Sequence, residues 1–208
     1  MKELDGLARE KGKKGKESRE RLLAAAIDEF ANAGFHDTKV STIVARAQLT
    51  QPAFYLYFSN KEAIFEEIVE HFREQLRAML STTRLEPGIE PEDVPNRVLA
   101  SVTALFDFLN ENPNLTRIGL FQSIESESIK RELVMMVAEN LRAEQQAGYF
   151  HALIPVEVAA ECVVGMIERL TMSQLFTQNS NADTLAKHVV HLLMYGMLQE
   201  SSQIRVLQ

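Results

Sequence analysis

Cysteine is almost absent. The 208-residue chain has one, Cys162, which excludes an internal disulfide and a cysteine-built zinc site. No apolar run approaches the roughly 18 residues that a membrane-crossing helix needs, and no basic–apolar–small leader opens the chain. A cytoplasmic protein is expected on both counts. The apolar–polar alternation of half-buried strands is missing, and so is any internal repeat. The short motifs of catalysis are missing too: there is no nucleophile elbow, no glycine-rich phosphate loop and no paired-carboxylate motif. His188 and His191 lie three apart on one helical face, but no third ligand is nearby. No metal, cofactor or enzymatic activity is therefore expected.

What is present is ordinary in bulk and uneven in distribution. Hydrophobic residues make up 46% and charged residues 25%, enough to bury a core. Net charge is −7, which by itself argues against a nucleic-acid partner. Residues 1–61, however, carry 11 Lys/Arg against 8 Asp/Glu, a net of +3, while residues 62–208 carry 11 against 21, a net of −10. A small basic module on a larger acidic body raises the prior for a polyanion. The run "REKGKKGK" at 9–16 lies within residues 1–17, where Gly12 and Gly15 predict a mobile basic arm.

The remainder reads as helices throughout. Leu23, Ala26, Ile27 and Phe30 make one stripe, with Leu22 beside it, over about 18–33, and Gly34 follows as a left-handed cap over which Phe35 can fold back. A short helix over about 41–47 turns inward Ile43, Val44 and Ala47. After "QLT", Thr50 is a good cap and Pro52 fits the first turn of a helix ending near Phe58. Ser59 with Glu62 has the capping-box spacing, and the helix it opens runs to about Thr83 with Phe65, Ile68, Val69, Phe72, Leu76 and Met79 inward. The loop "LEPGIEPEDVP" ends it. Further helices are expected over about 92–111, 114–122, 126–147, 155–177 and 182–199. The fold class is all-α, with about nine helices: a three-helix N-terminal helix-turn-helix domain over 1–62, and a helical domain over 63–208.

The stretch "LTQPAFYLYFSNKEAIF" at 49–65 explains its own clustered rings. Two short helices joined by a three-residue turn form a helix-turn-helix, whose second helix enters the major groove. Gln51 suits a bidentate contact to adenine, and Pro52 and Ala53 suit a thymine methyl. Tyr55 and Tyr57 offer stiffly held hydroxyls to phosphates, while Phe54 and Phe58 face inward. Lys61 opens the next helix, whose positive dipole end is an anion site.

Residues 22–65, "LLAAAIDEFANAGFHDTKVSTIVARAQLTQPAFYLYFSNKEAIF", resemble the TetR family of bacterial transcriptional repressors. The matching positions are Phe30, Gly34, Thr38, Val40, Ile43-Val44, Phe54-Tyr55, Tyr57-Phe58 and Lys61-Glu62. Gln48 stands where the family usually has glycine, Pro52 where many members have glycine, and Tyr57 where histidine is common. The resemblance implies base contacts from Gln51, Pro52, Ala53 and Tyr55. It implies phosphate contacts from Thr50, Tyr55, Tyr57 and Lys61, with Ser41 and Thr42 at the other edge of the groove. It also implies a two-fold homodimer through the last two long helices, where Ala159, Gly165, Leu192, Leu193 and Gly196 are small or flat, and hence a palindromic double-stranded DNA operator. An effector pocket is implied among the middle helices. Phe72, Phe106, Phe121, Met135, Met136, Phe150 and Met166 are candidates for its apolar wall, and Arg117, Gln122 and Glu168 for polar anchors. The expected function is a repressor released by a small apolar or amphipathic ligand. The alternative is a ligand-independent architectural or nucleoid DNA-binding protein on the same fold.

Overall fold

The computed structural model describes the backbone of residues 2–197 and the side chains of residues 14–197. Met1 and the stretch 198–208, which includes the end of the helix expected over 182–199, lie outside the described residues. Nine α-helices and no strand occur among those described. They are α1 (Lys2–Asp37), α2 (Val40–Arg46), α3 (Gln51–Tyr55), α4 (Lys61–Ser81), α5 (Val94–Glu111), α6 (Pro113–Arg117), α7 (Ser126–Gln146), α8 (Val156–Leu170) and α9 (Ala182–Tyr195). Two π-helical turns extend α6 and α8, over Ile118–Gln122 and Thr171–Leu175.

The chain divides into two compact units. One comprises residues 1–76 with 112–130, the other 77–111 with 131–208. In the first, α1 contributes Leu22, Ala25, Ala26, Phe30 and Ala31 to the core. Phe30, Phe35 and Phe65 form a ring cluster, with Phe65 centroids 4.9 Å from Phe30 and 4.8 Å from Phe35. Phe35 reaches it because Gly34 breaks the helix with φ +79, the positive-φ region that glycine tolerates. The expected cap is thus present. The start of the helix is not where the sequence suggested. Residues 2–17, expected as an arm, have helical backbone, so α1 begins at Lys2 rather than Ser18. Glycine costs about 1 kcal/mol in a helix, and a long helix already nucleated gains one hydrogen bond per added residue. The Lys16–Glu20 pair at 3.8 Å adds an i,i+4 contact.

The start of α4 also differs from expectation. Asn60 Oδ1, not the Ser59 hydroxyl, accepts the Ala63 N–H at 2.8 Å. Asn60 is the residue three before that N–H, where a cap side chain reaches best. Along α4, Ile64, Ile68, Val69, Phe72, Leu76 and Leu80 are buried, while Phe65 and Met79 are half-buried.

After Asn112 caps α6 through the Leu115 N–H at 3.0 Å, the first unit is completed by the π turn. Asn114 Nδ2 donates to Asp28 Oδ1 at 3.0 Å and Gln122 Nε2 to the Ala31 carbonyl at 3.1 Å, which ties this segment to α1. Gly119 lies against Phe72 so closely that a Cβ would stand 2.1 Å from the ring. Phe72 is itself buried. Gly119→Ala is therefore expected to destabilise the protein by about 1–3 kcal/mol through overpacking, read as a fall in midpoint in a denaturant titration. An unchanged midpoint would show that the π turn can yield.

In the second unit α5 packs on α9, with Leu105, Phe106, Leu109, Leu185, Val189 and Val190 among its buried residues. Helix α9 ends at Tyr195, where Gly196 takes φ +71.

Candidate functional site

The helix-turn-helix is built as the spacing predicts. Thr38 is buried and closes the α1–α2 corner, its hydroxyl donating to the Gly34 carbonyl at 2.7 Å and the Glu29 carbonyl at 3.1 Å. Ile43, Val44, Ala47, Phe54 and Phe58 are buried. The turn needs a positive φ, and Gln48 supplies it at φ +54, at a cost of about 1–2 kcal/mol for a non-glycine residue. Thr50 caps α3 through the Ala53 N–H at 3.4 Å, and α3 stops at Tyr55 rather than Phe58, with Leu56 and Tyr57 in a turn.

Gln51 and Pro52 are exposed, as are Ser41 and Thr42 on α2. Tyr55 is 57% exposed and Leu56 80%. The Thr42 hydroxyl donates to the Lys39 carbonyl at 2.8 Å. Ala53 and Tyr57 are half-buried. The Tyr57 hydroxyl stands 3.6 Å from where a Cβ on Gly15 would be, so it rests on the first half of α1. Leu56 and Lys39 were not singled out from the sequence. An apolar side chain between two tyrosines just after α3 and a lysine just before α2 are the available signals.

Lys61 occupies a more committed position. Its ammonium donates to the carbonyls of Phe35 at 2.7 Å, Thr38 at 3.0 Å and His36 at 3.3 Å, and it sits 4.4 Å from the Phe35 ring centre. Three N–H donors meet three carbonyls. Lys61 thus fastens α4 to the end of α1.

Other residues hold the module together without a visible sequence signal. The Arg21 guanidinium donates to the Ala47 carbonyl and, at 3.2 Å, to the Gln48 carbonyl, which satisfies the C-terminal end of α2. Arg46 pairs with Glu29 at 2.6 Å and Asp28 at 3.5 Å. The hydrogen bond from Arg46 holds the Glu29 carboxyl below its ordinary pKa. Arg19 lies 5.1 Å over the Phe58 ring and bonds Glu67 at 2.5 Å.

The second unit contains a cavity of about 420 Å³, within the usual range for small-molecule sites. Its wall is drawn from α5, α7, α8, α9, Leu80 and the 149–154 segment. Of the ten residues expected around a pocket, only Phe150 lines it. Phe106 is buried in the core, Met135 is exposed, and Met136, Met166 and Glu168 are half-buried elsewhere. Phe72, Arg117, Phe121 and Gln122 belong to the first unit, where Gln122 reaches the Ala31 carbonyl. Bulk and flexibility marked them, but in helical proteins the same properties mark core. Of the residues expected at an interface, Ala159 and Leu193 line the cavity. Gly165, Leu192, Leu193 and Gly196 are exposed.

Glu144, in the cavity wall, is 7% exposed. Burial raises its pKa, against smaller lowering effects from the Leu85 N–H and Arg84. A group with a raised folded pKa adds stability that is full below its unfolded value and is lost as pH rises through the folded one. Glu144→Gln should therefore raise the midpoint at neutral pH and leave it nearly unchanged near pH 4. Thermal melts of both proteins across that window measure this, and parallel curves would refute it.

A buried ring core, an exposed recognition helix and an all-helical body with a cavity define a helix-turn-helix regulator. The model of the bacterial regulatory proteins, tetR family, matches residues 22–68. Over 192 residues, 92% of this chain and 98% of the relative, the sequence is 50% identical to the uncharacterized HTH-type transcriptional regulator YdgC of Bacillus subtilis (strain 168). The chain belongs to the TetR family of bacterial transcriptional regulators. It is also 27% identical over 186 residues to the fatty acid metabolism regulator protein of the same organism, covering 85% of this chain and 93% of that one. Among solved structures it is similar to the transcriptional regulator FadR from Bacillus subtilis in complex with stearoyl-CoA. That match has a TM-score of 0.65 at 22% identity and covers 86% of this chain and 100% of that one.

Proposed function

We propose that the protein acts as a homodimeric repressor, released from a palindromic operator by a small apolar or amphipathic effector. The observation that carries this reading is the path of α4. It begins at Lys61 beside the recognition helix, and its Leu80 lines the cavity. Gln51, Pro52, Ala53 and Tyr55 read base edges; Thr50, Ser41, Thr42, Tyr55 and Tyr57 contact phosphates, and Leu56 adds an apolar contact at the groove. Exposed Val158, Leu192, Leu193 and Tyr195 on α8 and α9 supply an apolar face for a second copy, which would set two recognition helices about 34–36 Å apart. An effector that binds better to a second arrangement of α4 shifts the population and loosens the DNA. The relatives that regulate fatty acid metabolism support an effector with an apolar body. The cavity favours this reading over ligand-independent architectural binding.

The test is binding of the purified protein to DNA flanking its own gene, over a salt series. Tight, sequence-selective binding by a dimer, weakened by an apolar ligand that occupies the cavity, is the expected result. Weak binding indifferent to sequence would overturn it.

A further inference from the structure

The cavity wall of the second unit is chemically lopsided. Leu80, Val98, Val102, Leu105 and Val137 are among its many apolar members, and Asn140 and Glu144 of α7 add acceptors. There the buried Glu144 carboxyl receives a single hydrogen bond among the described residues, from the Leu85 N–H to Oε1 at 3.2 Å. A carboxylate offers about four acceptor sites, so most of this one's capacity is unused. Asn140, one turn earlier on α7, donates from Nδ2 to the Thr83 hydroxyl at 3.5 Å, and its own carbonyl oxygen accepts no hydrogen bond among the described residues. Two acceptors one helical turn apart on α7 thus line a largely apolar space. Burying a carboxylate with so few partners is costly, and a ligand that donates to it would relieve that cost.

We infer that the effector of this cavity has an apolar body and a hydrogen-bond-donating head, such as an ammonium or a hydroxyl, received by Glu144 and Asn140. Two neighbouring acceptors favour a donating head there over a carboxylate. This assignment rests on reading the cavity as the effector site, and it separates this chain from an acyl carboxylate sensor. The head group, not the tail, sets the selectivity.

Decylamine, decanol and decanoate share a tail and differ in the head. Titration calorimetry on the full chain below their micellar concentrations is expected to rank decylamine first. A charge-assisted bond corresponds to about tenfold or more in affinity over decanoate. Glu144→Gln should narrow that ratio severalfold while decanol changes little. Equal or tighter binding of decanoate, a ratio unmoved by Glu144→Gln, or no binding of any of the three would overturn the assignment. Parallel operator-binding assays separate the two readings. Decylamine that binds through Glu144 but leaves the operator complex intact upholds the head-group assignment and sinks the effector role. Decanoate that binds and releases DNA does the reverse.

Discussion

Gln51→Ala should weaken operator binding by roughly 30-fold or more while leaving the melting temperature within about a degree. The two halves of this expectation have separate causes. Gln51 is exposed at the first position of α3; its side chain touches nothing that the fold needs, and the cap of that helix comes from Thr50. Removing it therefore costs little stability. In the groove a bidentate glutamine–adenine contact contributes about 1–3 kcal/mol of discrimination per site, and a dimer presents two. The loss should fall on the cognate operator and hardly at all on unrelated DNA, because non-specific binding is phosphate-driven. Tyr57→Phe is the informative companion, since its hydroxyl rests against α1 at Gly15. A phosphate contact would show as a uniform loss across sequences. Fluorescence anisotropy with cognate and scrambled duplexes decides the matter. If Gln51→Ala lowers affinity for both equally, the glutamine does not read sequence.

The legible parts of this molecule were those that depend on local chemistry. Gly34, Thr50 and the inward Phe54 and Phe58 are set by φ, by capping and by helical period, and each stands where the pattern puts it. The positive φ of Gln48 falls where the resembled family usually has glycine. The illegible parts join residues distant in sequence. The Glu144–Leu85 bond spans 59 positions and the Arg21–Ala47 bond 26, and no periodicity announces either. The wall of the cavity in the second unit is hard to read for a related reason. Phe72 and Phe106 are large and apolar, but Phe72 packs on Gly119 and Phe106 is wholly buried. Whether a bulky side chain fills space or borders it depends on its neighbours, not on its own type. The start of α1 was misplaced because two glycines were weighed without the helix that already follows them.

Lys61→Met should lower stability by about 2–4 kcal/mol, a drop of roughly 5–15 °C in melting temperature for a chain of this length. Motif spacing alone would make Lys61 a phosphate donor at the start of α4. The structure engages all three of its donors with the carbonyls of Phe35, His36 and Thr38, and its charge lies over the Phe35 ring. Methionine keeps the apolar stem and loses every one of these bonds. The carbonyls are in part exposed, so water recovers a share of the loss, which keeps the expected cost below the sum of three charge-assisted bonds. The two roles differ in a second measurement. A lysine that neutralises a phosphate contributes close to one unit to the slope of log affinity against log salt. A lysine that fastens α1 to α4 contributes to the melting temperature and leaves that slope alone. Measured well below its melting point, Lys61→Met should bind operator with an unchanged salt slope and an affinity reduced only as far as the corner between α1 and α4 has loosened. A slope shallower by about one per subunit, with little change in melting temperature, would return Lys61 to the DNA and leave the α1–α4 corner to the ring cluster.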